Sequence, residues 1–192
     1  MNDILITKRS GEREEFELEK IHKILEWACE DISGVSISEI ELRSNIQLYN
    51  SIPSAEIHEL LIKSSADLIS ENTPNYQYVA ARLVNYKIRK EVYGGFKPKT
   101  LHEVVVANIE RKVYDHTITD VYTTDEFDKM ESFIKHERDN TFTYVGMEQF
   151  RGKYLVQDRK TRTLYETPQV LYMMISATLF QNYPKNTRMK YV

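Results

Sequence analysis

The residues best suited to chemistry come at the start of the chain. In LITKRSGEREEF (5–16), Lys8 and Arg9 stand at the mouth of a Ser10–Gly11 turn, and a glutamate-rich run follows. An ammonium beside a guanidinium suits phosphate oxygens, the guanidinium through paired hydrogen bonds. Farther along, Ser54 and His58 are four residues apart and share one helical face. A hydroxyl and an imidazole at a helix start can address a ribose or phosphate, and the first-turn N–H groups add attraction for an anion. Val79, Leu83, Tyr86 and Lys90 form a largely apolar ridge that ends in a cation. Glu14 and Glu17 offer acceptors for an adenine amino group or a sugar hydroxyl. Each has a plainer alternative: cations beside a turn solubilise, Ser54 caps a helix, and Lys90 favours the helix dipole.

No G-x-x-x-x-G-K-[ST] or G-x-G-x-x-G string is present, so the residues alone describe an alpha-rich domain with an anion-binding corner. Composition narrows the partners. Residues 1–94 hold 11 Lys and Arg against 16 Asp and Glu, a net of −5. Residues 95–192 hold 15 against 13, a net of +2. Cations in an acidic setting fit a small anionic ligand better than a nucleic acid. A single cysteine, Cys29, excludes an internal disulfide and a Cys-rich metal site, and its place inside a helix reads as structural. No membrane-length apolar run and no signal-peptide pattern occur, which gives a cytoplasmic expectation. NYPKNTRMKYV (182–192) reads as the opening of a helix and suggests a piece of a longer polypeptide.

These groups need a frame. Asp3–Arg9 and Glu14–Leu18 read as strands of a hairpin. Helices are expected over Glu19–Glu30, from an N-cap at Ser38 with Glu41 as acidic partner to Tyr49, over Ser54–Ser70, and over Tyr76–Tyr93. The inward stripe of the third is Ile57, Leu60, Leu61, Ser64 and Leu68. YGGFKPK (93–99) is the best boundary in the chain. Beyond it, helices are expected over 101–114, 124–135, 146–154 and 168–181, with strand, turn and strand over 154–166. The fold class is thus mainly alpha with small beta elements: a hairpin or three-stranded cap over a four-helix bundle at 1–94, then a helical portion at 95–192.

ITKRSGEREEFELEKIHKILEWA (6–28), SAEIHELLIKSSADLIS (54–70) and YQYVAARLVNYKIRKEVYG (76–94) resemble the ATP-cone of the large, catalytic subunit of class I ribonucleoside-diphosphate reductase. The resemblance continues through FIKHERDNTFTY (133–144) and KYLVQDRKTRTLYETPQ (153–169). It implies an allosteric domain in which ATP leaves the enzyme active and dATP shuts it down, the effector arriving with Mg2+. Carried over, Lys8, Arg9 and Lys90 grip the triphosphate with Lys20 nearby, Glu14 helps read adenine, Ile21 lines the nucleoside pocket, and His58 and Ser54 sit near sugar and phosphates. Many relatives carry Thr at Ser54, which keeps the hydroxyl. Glu17 stands where closely related cones carry Asn, so it bears on ligand preference rather than on cone identity. The region after Gly94 resembles the helical lead-in to a ten-stranded alpha/beta barrel whose thiyl-radical and redox cysteines lie later in the family's chain. The implied partners are a radical-generating small (beta) subunit, other copies of the large subunit, and thioredoxin or glutaredoxin. Two other readings stand beside it: a free-standing nucleotide sensor of repressor type, and a helical interaction module without ligand.

Overall fold

The computed structural model describes residues 5–8, 11–45 and 48–192 and divides into two compact units. The first holds the described residues up to Lys87 together with Asn140–Glu148, and the second holds Ile88–Asp139 and Gln149–Val192.

In the first unit, β1 (Leu5–Thr7) turns Ile6 inward. The Gly11 amide donates to the Lys8 carbonyl at 2.9 Å and the Lys8 amide to the Glu12 carbonyl at 2.8 Å. Gly11 takes φ +86°, which a Cβ would oppose. β2 (Arg13–Glu15) returns antiparallel with Glu14 opposite Ile6. The second strand ends sooner than expected because α1 (Leu18–Cys29) begins three residues on, burying Ile21, Leu25 and Ala28.

α2 (Ile37–Asn45) packs against α1, and it starts before the expected cap at Ser38. Ser36 takes that role: its hydroxyl accepts from the Glu39 amide at 3.4 Å. The reason is Tyr76, whose hydroxyl accepts from the Ser36 amide at 2.9 Å and donates to Glu39 Oε2 at 2.6 Å. Tyr76→Phe strips partners from both groups, so urea unfolding should show a loss of about 1–2 kcal/mol.

β3 (Ile52–Pro53) joins the free edge of β1 in parallel, giving the order β2-β1-β3. α3 (Ser54–Ala66) follows at once and also packs against α2. Ile57, Leu61 and Ser64 of the expected stripe are buried. Leu68 falls past the helix end, where the Thr73 hydroxyl turns back to donate to the Leu68 carbonyl at 2.7 Å. α4 (Tyr76–Tyr93) has the expected bounds and buries Tyr76, Val79, Ala80 and Leu83. Its Arg82 Nη1 donates to the Ala28 and Glu30 carbonyls at 3.3 and 2.5 Å, satisfying the end of α1.

The second unit is helical. α5 (Leu101–Glu110) and α7 (Thr124–Phe133) pack together, each opened by a capping box, Thr100 with Glu103 and Thr123 with Glu126. A short α6 (Thr117–Val121), not anticipated, stands between them. The expected helix at 146–154 is α8 (Tyr144–Gln149), which belongs to the first unit up to Glu148, and a π turn, Phe150–Tyr154, in the second. α9 (Pro168–Phe180) and a one-turn α10 (Lys185–Arg188) end the chain. Leu101, Val105, Phe127, Met130, Val170 and Ala177 are central to this core.

The two strands expected in 154–166 are reduced to one bridge, Gln157 with Leu164. Carboxylates take the amides a ladder would need. Val156 N donates to Glu166 Oε1 at 2.9 Å and Leu164 N to Glu91 Oε1 at 2.7 Å. Between them Asp158 Oδ1 accepts from the Lys160 and Thr161 amides, fixing a tight turn.

Candidate functional site

The hairpin fold brings four of the sequence-selected groups together. Because Glu14 faces Ile6 across the strands, it lies near the mouth of the turn, and its Oε2 is 2.7 Å from Lys8 Nζ. Lys20, in the first turn of α1, reaches the same oxygen at 3.7 Å and Glu17 Oε1 at 2.9 Å. The cluster is electrically balanced, with two ammonium groups against two carboxylates. The hydrogen bond from Lys8 is the main reason the Glu14 carboxyl sits below its ordinary pKa. The bond to Glu17 is likewise the main reason Lys20 sits above its own. These groups are solvated, so a polyanion can exchange for their present partners at small cost.

Parallel pairing of β1 with β3 supplies the second element. The Ser51 amide donates to the Leu5 carbonyl at 2.7 Å, and Thr7 Oγ1 donates to the Ser51 carbonyl at 3.2 Å. Thr7 is thereby opposite Pro53. Lys8 and Ser54, each the next residue in its segment, emerge at the same end of the sheet. Ser54 is the first helical residue of α3, not its cap; Pro53 holds the cap position and offers no side-chain acceptor. The side chain at the cap position therefore leaves the first-turn amides of α3 unengaged.

His58 lies one turn along α3, its ring centroid 5.3 Å from that of Tyr86, which is in turn 5.9 Å from Trp27. Lys87 hydrogen-bonds Glu59 on the same helix. In the sequence Tyr86 stands out only as part of a ridge, and Trp27 and Lys87 do not stand out at all, because aromatic residues on α1 and α4 give no periodic signal beyond core packing. Ile21 is on the buried face of α1 with Leu25 and Ala28. Lys90 belongs to the last turn of α4, in the second unit. Arg9 lies outside the described residues.

Cys29 is partly buried, and burial pushes its thiol up to about 11, which makes it an inert structural thiol at neutral pH. Among the described residues, no helix is long and apolar enough to cross a membrane, and no group of three His, Cys, Asp or Glu gathers to hold a metal ion.

Two family models match the chain. Residues 4–91 match the family described as ATP cone domain, and residues 140–192 match the ribonucleotide reductase all-alpha domain. The chain is 49% identical over 190 residues to ribonucleoside-diphosphate reductase 1 subunit alpha of Escherichia coli (strain K12), covering 99% of this chain and 25% of that protein. It is 39% identical over 194 residues to the subunit alpha of Enterobacteria phage T4, covering 100% of this chain and 25% of the relative. The subunit alpha of Helicobacter pylori is 33% identical over 179 residues, covering 93% of this chain and 22% of the relative. The chain therefore spans about a quarter of the length of these relatives. With both matches in order along one polypeptide, the chain belongs to the class I ribonucleoside-diphosphate reductase alpha-subunit family, as an amino-terminal ATP cone joined to the start of the catalytic subunit.

Proposed function

We propose that the first unit is an adenine-nucleotide sensor, binding ATP or dATP to set the overall activity of a reductase alpha subunit. The phosphates meet Lys8, Arg9 and Lys20 at the hairpin and the first-turn amides of α3 beside Ser54. His58 addresses the sugar, Glu14 and Glu17 face the base, and Ile21 closes the nucleoside side from the core. The observation that carries this reading is the Thr7–Pro53 register, which sets a lysine-bearing turn and a helix start without a side-chain cap at one end of a sheet. Mg2+ bound with the nucleotide would offset part of the triphosphate charge that Lys8 and Lys20 face. ATP and dATP differ by one hydroxyl, and coupling to assembly needs only about 1–3 kcal/mol of that difference.

The functional boundary is placed at Gly94–Gly95. The whole polypeptide reduces ribonucleoside diphosphates in the cytoplasm with a radical-generating beta subunit and thioredoxin or glutaredoxin, using cysteines outside this segment. Control by the cone acts through self-association of the large subunit.

Lys8→Ala removes one charge-assisted phosphate contact, so calorimetric titration should show ATP and dATP affinity falling roughly tenfold or more. The thermal midpoint should stay within about a degree, since Lys8 is in a solvated pair on the surface. Unchanged affinity removes Lys8 from the site.

A further inference from the structure

The first unit does not end where the cone match ends. That match covers residues 4–91, yet the compact unit also takes in Asn140–Glu148, from the stretch that matches the all-alpha reductase domain. Both ends of this added segment continue directly into the second unit, at Asp139 and at Gln149. Its first residue is held from α4 in two ways. Arg82 Nε donates to the Asn140 carbonyl at 3.4 Å, and Asn85 Nδ2 donates to Asn140 Oδ1 at 3.1 Å. Farther along, the Thr143 hydroxyl accepts from the Gly146 amide at 3.3 Å as α8 begins, and Met147 is fully buried.

The two α4 residues differ in what they supply. Asn85 is fully buried on a helix face that also buries Ala81 and Val84. A buried amide is costly unless paired, so it admits one register with its partner. Arg82 joins two places at once, because its Nη1 also serves the Ala28 and Glu30 carbonyls at the end of α1. One planar guanidinium thus fixes the last turn of α1 and the start of the added segment in a common frame. α1 itself, 12 residues long, is a rod of about 18 Å whose first turn carries Lys20 and Ile21.

We propose that Asn140–Glu148 is the segment through which nucleotide occupancy of the cone is transmitted, with Arg82 and Asn85 as its positioning residues. Phosphates that draw Lys20 away from Glu17 shift the first turn of α1. A helix moves as a rod, so its last turn moves with it, and Arg82 carries the displacement to Asn140. The register fixed by Asn85 makes the segment follow rather than slip. Its covalent ends then deliver the change to the helical unit. This inference deepens the nucleotide reading of the cone and rests on it.

The test is amide exchange of this chain with and without saturating ATP, beside calorimetric titration of the same samples. ATP should slow exchange of the Gly146, Met147 and Glu148 amides about fivefold or more, the low end of allosteric couplings. Arg82→Met keeps an apolar stem without the fork. It should erase that slowing and, by reciprocity, lower ATP affinity by the same factor. Asn140→Ala is milder, since Arg82 keeps its bonds to α1, and it should at least halve the slowing. Tyr76→Phe weakens the same unit without touching the segment and should leave the slowing intact, which separates transmission from stability. ATP binding with unchanged exchange at 146–148 overturns the proposal and leaves the nucleotide reading standing, whereas absence of ATP binding overturns both. Full slowing in either segment variant, or loss of it in Tyr76→Phe, also overturns the proposal.

Discussion

Arg188→Ala should destabilise the second unit by about 3–5 kcal/mol, the cost of leaving a buried ion pair with one member. Arg188 and Glu126 are nearly inaccessible, with side chains 7 and 12% exposed. The guanidinium donates through Nε and Nη2 to Glu126 at 2.8–3.1 Å and to the Val121 carbonyl at 2.6 Å. It also lies 4.4 Å over the Tyr122 ring. Burial alone would raise the Glu126 carboxyl, but Arg188 and the capping bonds from Thr123 outweigh it and leave the carboxyl lowered. Removing the cation leaves that carboxylate stranded while it still serves the capping box of α7. Amide exchange across α7 should quicken by about a hundredfold or more, in proportion to the lost free energy. Arg188→Lys should recover little, because an ammonium cannot reproduce the planar fork. Arg188→Met with Glu126→Gln should recover part of the loss, since neither partner is then charged. A single-variant loss under about 1 kcal/mol would mean that water replaces the guanidinium and the pair is less enclosed than its geometry indicates.

Arg188 also marks what the sequence could and could not convey. Helical periodicity placed Tyr76–Tyr93 to the residue, because an unbroken ridge of Tyr76, Val79, Ala80 and Leu83 has only one register on a core. The hairpin was legible from Ser10–Gly11 and flanking apolar residues. β3 was not: two residues ending in proline carry no period, and only pairing with β1 makes them a strand. The same limit hid the pair of Tyr76 with Ser36 and Glu39, and with it the true start of α2. In the site, the spacing of Lys8, Glu14, Glu17 and Lys20 follows from hairpin and helix geometry, so their clustering was implicit in the local pattern. That Lys8 shares a sheet end with Ser54 was not, since it depends on a contact 46 residues apart in the chain. Local order is written in the pattern; adjacency between distant segments is written in partners that no window of sequence contains.

Asp139 should cost the second unit about 3 kcal/mol of stability as pH rises from about 4 to 7. Its side chain is fully buried, and burial pushes its carboxyl from 3.8 up to about 6. A hydrogen bond from Gln169 Nε2 at 2.8 Å and the nearby Arg89 guanidinium pull the other way without prevailing, and Glu137 adds to the rise. Oδ2 has no hydrogen-bond partner among the described residues. Arg89 is itself committed elsewhere, donating to the His136 carbonyl at 2.7 Å and lying 5.1 Å over the Phe96 ring. A carboxyl whose folded pKa exceeds its unfolded one stabilises fully below the unfolded value, and the contribution is lost as pH climbs through the folded value. His136 runs in opposition. Burial first, then Arg89, lowers it, so its contribution is present above 6.5 and declines as pH falls through its depressed folded value. The raw pH profile of the wild type therefore sums two opposed slopes. Asp139→Asn separates them, because an amide oxygen can still accept from Gln169 but carries no charge to desolvate. Urea unfolding of both proteins across this range should give a stability difference that changes by about 3 kcal/mol, with its midpoint near pH 5, between the unfolded and folded values. A difference that stays flat would mean that the carboxylate ionises in the interior as it does in water, which requires Arg89 or a bound water to complete the shell that Oδ2 now lacks.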